Sequence, residues 1–397
     1  MRLSFSPIPA PDAPTKLRAL IEGWRASRED DAREAELRTV GELERAMRAF
    51  AEVARASRDD EVIQQALAAV HPALDWEWLA ADASLCQLVV RACGDRGLYP
   101  LIERLSALVS GPGLSVVSHL PALGHQRALA RAIEVWGTDF SATRVRVGFV
   151  RGHLLELAFS VPGCGGHDDE RALDAAIVYA ESALGERVLD EWVGNIGVAP
   201  GRKAASLMML GSSAAEGAPL GELGGLVERA REGLREGLPT APHRGEREDW
   251  TLLEASPAEL GEALSGELPM ADVLMASTAC PELVKCFLEG LPVSSARFSR
   301  LGERFCYLEL PTGLPLQEAA RARQALEGLL EAALGERAHI IGTATGTHRQ
   351  YIILSVRELS DLLERLEDGS WHRGRLPEGS QLRFMDATWR YEWLALC

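Results

Sequence analysis

No two cysteines stand close enough to form an obvious clip. The seven, Cys86, Cys93, Cys164, Cys280, Cys286, Cys306 and Cys397, are scattered with no CxxC pair. This argues against a disulfide framework or a structural zinc site, and for small buried apolar residues in a reducing compartment. Long apolar runs are missing too, since nothing approaches the roughly 20 residues that span a bilayer. The opening MRLSFSPIPAPDAPTK lacks an apolar stretch before a small-residue cleavage site, so it does not read as a secretory signal and a cytoplasmic location is expected. Basic residues are in deficit, 42 against 58 acidic, for a net charge of -16. Such a surface repels phosphate backbones and anionic headgroups, and no Lys/Arg run interleaved with aromatics offers a stacking groove. Nucleic acid and membrane are poor partners on this ground, and another protein, basic in character, fits better. Also absent are GxSxG, HExxH, GxGxxG after a strand and a paired-carboxylate motif, so no cofactor and no dedicated metal site is implied.

What is present is an ordinary globular composition, 47% apolar and 25% charged over 397 residues, long enough for two domains. Residues 1–70 read as a helical arm, in which Leu43, Met47, Phe50 and Val53 make one apolar stripe. From residue 71 to 200 the texture is mixed. DWEWLAAD and LCQLVVRAC suit strands, LYPLIERLSALVSG a helix, and RVRVGFV and HLLELAFSV a hairpin turning at Arg151 and Gly152. The helix DERALDAAIVYAESAL follows, with Leu173, Ala176, Ile177, Ala180 and Leu184 on one face, and then VLDEWVGNIGV as a strand. Residues 201–249 have the Gly, Pro and charge content of a linker that carries a helix. Residues 250–397 again alternate strands, such as WTLLEA and ADVLMAS, with helices at PAELGEAL and PELVKCFLEGL.

The pentad ALGER occurs twice, in ESALGERV and EAALGERA, 150 residues apart. Each copy follows a helix and precedes an apolar segment, and the flanks match: VRGHLLELAFSVPG before the first helix, RLGERFCYLELPTG before the second. Both copies read as hairpin, helix, ALGER, strand, which suggests internal duplication. Gly185 and Gly335 suit a helix C-cap, Leu184 and Leu334 close the apolar stripes, and Glu186, Arg187, Glu336 and Arg337 are expected in solvent. The second stripe is Ala322, Ala325, Leu326, Leu329, Leu330 and Ala333.

The densest set of potential ligands is PGCGGHDDE, where Cys164, His167, Asp168, Asp169 and Glu170 crowd the approach to a helix. One account gives His167 and the carboxylates a metal or acid/base role. The simpler one makes Asp168 or Asp169 the helix cap and Glu170 a partner of its dipole. The second copy has PTGLPLQEA here, without His, Cys or Asp, so a duplicated active site is not supported. His119 and His125, six apart across Pro and Gly, read as loop histidines. IIGTATGTHRQY reads as a glycine-containing turn between strands and lacks the GK[ST] of a phosphate loop. Nine tryptophans include DWEW and WRYEW, which suit half-buried sheet positions or a partner-binding hot spot.

HPALDWEW, LVVRACGDRGLYPLIERLSALV, VVSHLPAL and ESALGERVLDEWVGNIGVAP together resemble a bacterial family known as domain of unknown function 695, over about residues 60–200, and more faintly around YLELP and IIGTATG. The resemblance brings no catalytic set to carry over. Members are found with an acidic ferredoxin-like domain similar to the regulator of ribonuclease activity B, which acts by binding an enzyme, so a binding role follows by analogy. The expectation is an α+β protein of two ferredoxin-like-type sheet-and-helix units with an N-terminal helical arm. Its function is read as non-catalytic, a regulator, adaptor or immunity-type inhibitor. The rivals are a metal-assisted hydrolase using His167, Asp168, Asp169 and Glu170, and a structural subunit of a larger assembly.

Overall fold

A computed structural model describes residues 30–57, 59–80, 86–109, 114–164, 169–200, 217–244, 249–254, 270, 272–368, 375–389 and 393–396. The chain is α+β, and it divides into two compact units, one built on Ala46–Gly237 and the other on Leu238–Cys397.

Helix α1 (Asp30–Ala56) belongs to the first unit from Ala46 onward, and there it supplies Met47, Phe50, Ala51 and Ala54 to the interior, close to the stripe that helical spacing predicts. Helix α2 (Asp60–Ala68) starts at Asp59, whose carboxylate accepts from the Glu61 and Val62 N–H groups and so satisfies orphan donors of the first turn. Strands β1 (Asp75–Ala80) and β2 (Cys86–Arg91) pair antiparallel. Helix α3 (Tyr99–Val109) then carries the chain to β3 (Leu114–Val117), which lies parallel to β2. The order β1-β2-β3 leaves β1 at an edge.

After helix α4 (His125–Trp136), the hairpin β4 (Arg144–Phe149) and β5 (Leu155–Val161) leads into helix α5 (Asp169–Leu184). Here the segment read as one strand divides: ERVLDEW forms helix α6 (Glu186–Trp192), and only then does β6 (Val193–Pro200) join parallel to β5. Trp192 is fully buried at that junction and its ring lies under Arg231 and Arg235. With β7 (Ala218–Pro219) the second sheet has the order β6-β5-β4-β7. The helix expected in the linker is α7 (Leu223–Gly237), whose Leu223 and Val227 share the core of Phe140, Phe159, Tyr179 and Trp192. In that core the Tyr179 hydroxyl donates to the Leu220 carbonyl (2.8 Å), leaving its oxygen for His125 Nδ1 (2.8 Å).

The second unit holds one antiparallel sheet. Its strands are β8 (Thr251–Glu254), β9 (Val273–Thr278), β10 (Arg304–Pro311), β11 (Ala338–Gly346), β12 (Arg349–Val356), β13 (Gln381–Phe384) and β14 (Trp393–Ala395), in the order β14-β13-β10-β12-β11-β9-β8. Helix α8 (Pro281–Leu288) packs on one face with Phe305, Tyr307, Tyr351 and Ile353. Helices α9 (Leu316–Leu334) and α10 (Leu359–Asp368) pack on the other with Cys306, Leu308, Ile352 and Leu354. The alternation of neighbours along β10 and β12 between the two cores is the period-2 rule of a strand. PAELGEAL lies outside the described residues, and IIGTATG is itself strand β11, with the turn at Thr347 and His348.

The repeat therefore does not extend to connectivity. Within RLGERFCYLELP there is no hairpin, because RLGE precedes the strand and RFCYLELP is the single strand β10. Its partner β12 comes later and inserts between β10 and β11, whereas β5 and β6 are direct neighbours. The α9 stripe also differs, because Ala319, Glu327, Leu330 and Leu334 are buried while Ala322 and Ala325 are exposed. Glu327 is tolerated inside because Arg323 donates to it from one turn away (2.9 Å) and also reaches Thr345 (2.9 Å).

The two pentads take different roles. Gly335 ends α9 at φ 57°, with open space around it, and Glu336 is exposed. Gly185, at φ 82°, both ends α5 and starts α6, and a Cβ there would stand 3.0 Å from the Ala122 nitrogen and 3.1 Å from the Leu120 oxygen. Glu186 is buried, which overturns its expected exposure. Both Gly→Ala changes should cost about 1–3 kcal/mol in backbone strain, with Gly185→Ala the more damaging because it adds a backbone clash. Urea unfolding of the two variants measures the order.

Candidate functional site

The acidic DWEW stretch folds as edge strand β1 and opens onto a cleft of about 500 Å³ lined by Asp60, Glu61, Gln64, Asp75, Trp76, Glu77 and Trp78. Successive β1 side chains alternate, so Trp76 and Trp78 share one face and Asp75 and Glu77 the other. The indoles meet edge to face, with centroids 6.0 Å apart and planes at 81°. Trp76 Nε1 donates to Gln64 Oε1 (2.9 Å), fixing the strand against α2. Glu77 is engaged by Arg131 of α4 (3.1 Å). Four carboxylates and two indoles thus line the cleft, with the indoles on one face of β1 and Asp75 and Glu77 on the other, so alternate cationic side chains laid along this edge would meet charge or a ring quadrupole.

A second constellation lies where β2 and β3 end side by side. Brought together there are Arg91, Tyr99, His119, Glu181, Glu186 and Asp190, drawn from β2, α3, the turn after β3, the end of α5 and α6. Arg91 donates to Glu181 and lies 3.8 Å from Glu186. Glu186 accepts from the Leu120 N–H (3.0 Å) and the Ala92 N–H (3.3 Å), so one carboxyl ties the ends of both strands. Tyr99 donates to Asp190, and the His119 ring stands edge-on to Tyr99 at 4.2 Å. Burial pushes the Glu186 carboxyl up to about 7 against the pull of the Leu120 N–H and Arg91, and Asp190 and Glu181 add to the rise. Asp190 and Glu181 are raised mainly by the same loss of solvent. Burial, and the Arg187 charge, bring His119 down to about 4, so its ring is neutral near pH 7.

In the second unit, Glu303 gathers four donors: His243 N–H and Nδ1 (both 2.9 Å), Ser299 Oγ (2.7 Å) and Ser355 Oγ (2.6 Å). Burial by itself would raise this carboxyl, but the donors from His243, Ser355 and Ser299 outweigh it and hold it at about 2. It is an anchor for the loop around His243, with its bonding capacity filled.

Of the residues singled out before helix α5, Cys164 is buried after β5, Asp169 opens α5 and Glu170 is exposed. His167 and Asp168 lie outside the described residues, as does the Asp169 side chain. Among the described residues, no group of three His, Cys, Asp or Glu is placed to hold a metal ion, and no helix is long and apolar enough to cross a membrane. His119 lies in the turn after β3, as a loop histidine, and is buried there, whereas His125 is not in a loop but opens α4. Sequence reasoning missed Arg91, Tyr99, Glu181, Glu186 and Asp190. The one local signal was the spacing of Glu186 and Asp190, i and i+4 on one helical face.

No family model matches this chain, and neither a curated protein nor a solved structure does.

Glu303 sets a testable acid limb. Its folded value of about 2 lies below the ordinary 4.5, so its contribution is complete above about pH 4.5 and lost as pH falls toward 2, about 3 kcal/mol in all. Urea unfolding across that range should lose the corresponding slope in Glu303→Gln.

Proposed function

We propose that this chain is a non-catalytic binding protein whose acidic cleft takes a basic, extended segment of a partner protein. The observation that carries the reading is edge strand β1, which brings two tryptophans and two carboxylates to a cleft bounded on its other side by Asp60, Glu61 and Gln64. An added strand along such an edge draws affinity from main-chain hydrogen bonds and selectivity from alternate side chains. Lys or Arg residues in that segment meet the carboxylates and the indole faces. Each exposed ion pair is worth less than about 1 kcal/mol, and a cation over an indole about 0.5–2 kcal/mol. Several such contacts, supported by the net charge of -16, give a fast and salt-sensitive association.

Calorimetric titration of the full chain with an extended Arg/Lys-rich peptide tests this. The double variant Asp60→Asn/Asp75→Asn should weaken binding about tenfold at low salt, the equivalent of about 1.4 kcal/mol, and less at high salt. Equal affinity for wild type and variant would sink the reading. If instead the purified protein carries a metal and a hydrolytic turnover, both lost in His167→Ala, the metal-assisted hydrolase replaces it.

A further inference from the structure

Glu186 is a single buried acceptor shared by two strand ends that lie far apart in sequence. Ala92, just past β2, and Leu120, just past β3, each give it a backbone N–H. Charged and titratable groups face it from every side. Arg91 comes from β2, with Glu77 of β1 acting through that guanidinium. Glu181 comes from α5 and Asp190 from the next turn of α6. Tyr99 of α3 and the exposed Cys93 of the turn after β2 also feel its charge. Arg96 lies beside Asp190, and Arg187 points to Glu191 and Glu103 on the outside. With Glu77 and Arg131 paired to each other, the neighbourhood sets three carboxyls, Glu181, Glu186 and Asp190, against the two cations Arg91 and Arg96. Full ionisation leaves an excess negative charge in a place nearly closed to water, an arrangement that low local permittivity makes costly.

We propose that Glu186 makes the joint between the ends of β2 and β3 proton-operated, closed while the carboxyl holds its proton and loosened when the proton leaves. In the closed joint both oxygens face backbone donors, and a proton on one oxygen removes the excess charge at the expense of that oxygen's N–H bond while the other oxygen keeps its own. Once ionised, the carboxylate gains by reaching water, which requires the segments Ala92–Leu98 and Ser118–Leu123 to separate. The direction follows from linkage. The closed form holds the proton more tightly, about 7 against the ordinary 4.5, so low pH favours closure and rising pH favours opening. Each unit of that difference is a factor of ten, so the opening equilibrium grows by up to about 300-fold over the interval and levels off above neutrality. The turn released carries the exposed Cys93, held at φ 50°.

Hydrogen exchange of the full chain, corrected for the intrinsic pH dependence of amide exchange, reads the joint directly. Between about pH 5.5 and 8, exchange in Ala92–Leu98 and Ser118–Leu123 should accelerate at least tenfold in the wild-type protein. Strand β5, which belongs to the same unit, should stay flat. Glu186→Gln has no proton to lose and should be flat in both segments. Arg91→Gln removes a cation that favours ionisation in the closed joint, so its acceleration should continue to higher pH before it levels off. A flat wild-type profile, or the same acceleration in Glu186→Gln, overturns the proposal. If Glu186→Gln does not fold, the pH at which Arg91→Gln levels off decides, and a plateau reached at unchanged or lower pH overturns the proposal.

Discussion

In the Ala46–Gly237 unit, two parallel strands end against a turn and a helix that arrive much later in the chain, and one carboxyl receives both strand ends. Everything around that meeting point follows from the need to keep Glu186 bonded without solvent. Gly185 must be glycine because its φ of 82° and the nearby Leu120 and Ala122 backbone leave no room for a side chain. Helix α6 must begin at the next residue so that Glu186 turns inward. Arg91 must remain charged to balance Glu181, and burial of that guanidinium is outweighed by the carboxylates around it. Removing one member leaves the others buried and unmatched, which is why such sets behave as a unit.

The second unit reaches stability by a different route. Its sheet has apolar cores on both faces, and its buried polar groups are met locally: Glu303 by four donors, Glu327 by Arg323 one turn away. Here the carboxylate is held low and not high. Opposite displacements of two buried carboxyls in one chain follow from a single distinction, the number of donors aimed at each against the like charges beside it.

Much of the architecture was legible because it depends on local periodicity. The stripe of Met47 and Phe50, the hairpin turning at Gly152 and the strands at DWEW and LCQLVV are readable from spacing and turn chemistry. What could not be read is whatever depends on distant partners. ALGER looks the same in both places, yet Glu186 is buried and Glu336 exposed, because only the first copy has the β2 and β3 ends to receive it. Likewise RFCYLELP appeared to need a neighbouring hairpin partner, whereas the sheet supplies β12 from beyond the next helix. The polar cluster was invisible for the same reason, since its members come from five separate segments.

The edge position of β1 has a consequence for the protein's company with itself. The outer edge of this six-residue strand, which has β2 on its other side, invites a second copy to pair with it. Antiparallel pairing of two such edges would bring the Asp75 and Glu77 carboxylates of one molecule close to those of the other, under a net charge of -16 on each. The acidity on which the proposed binding of a cationic chain rests therefore also opposes the zipping of this edge into fibres.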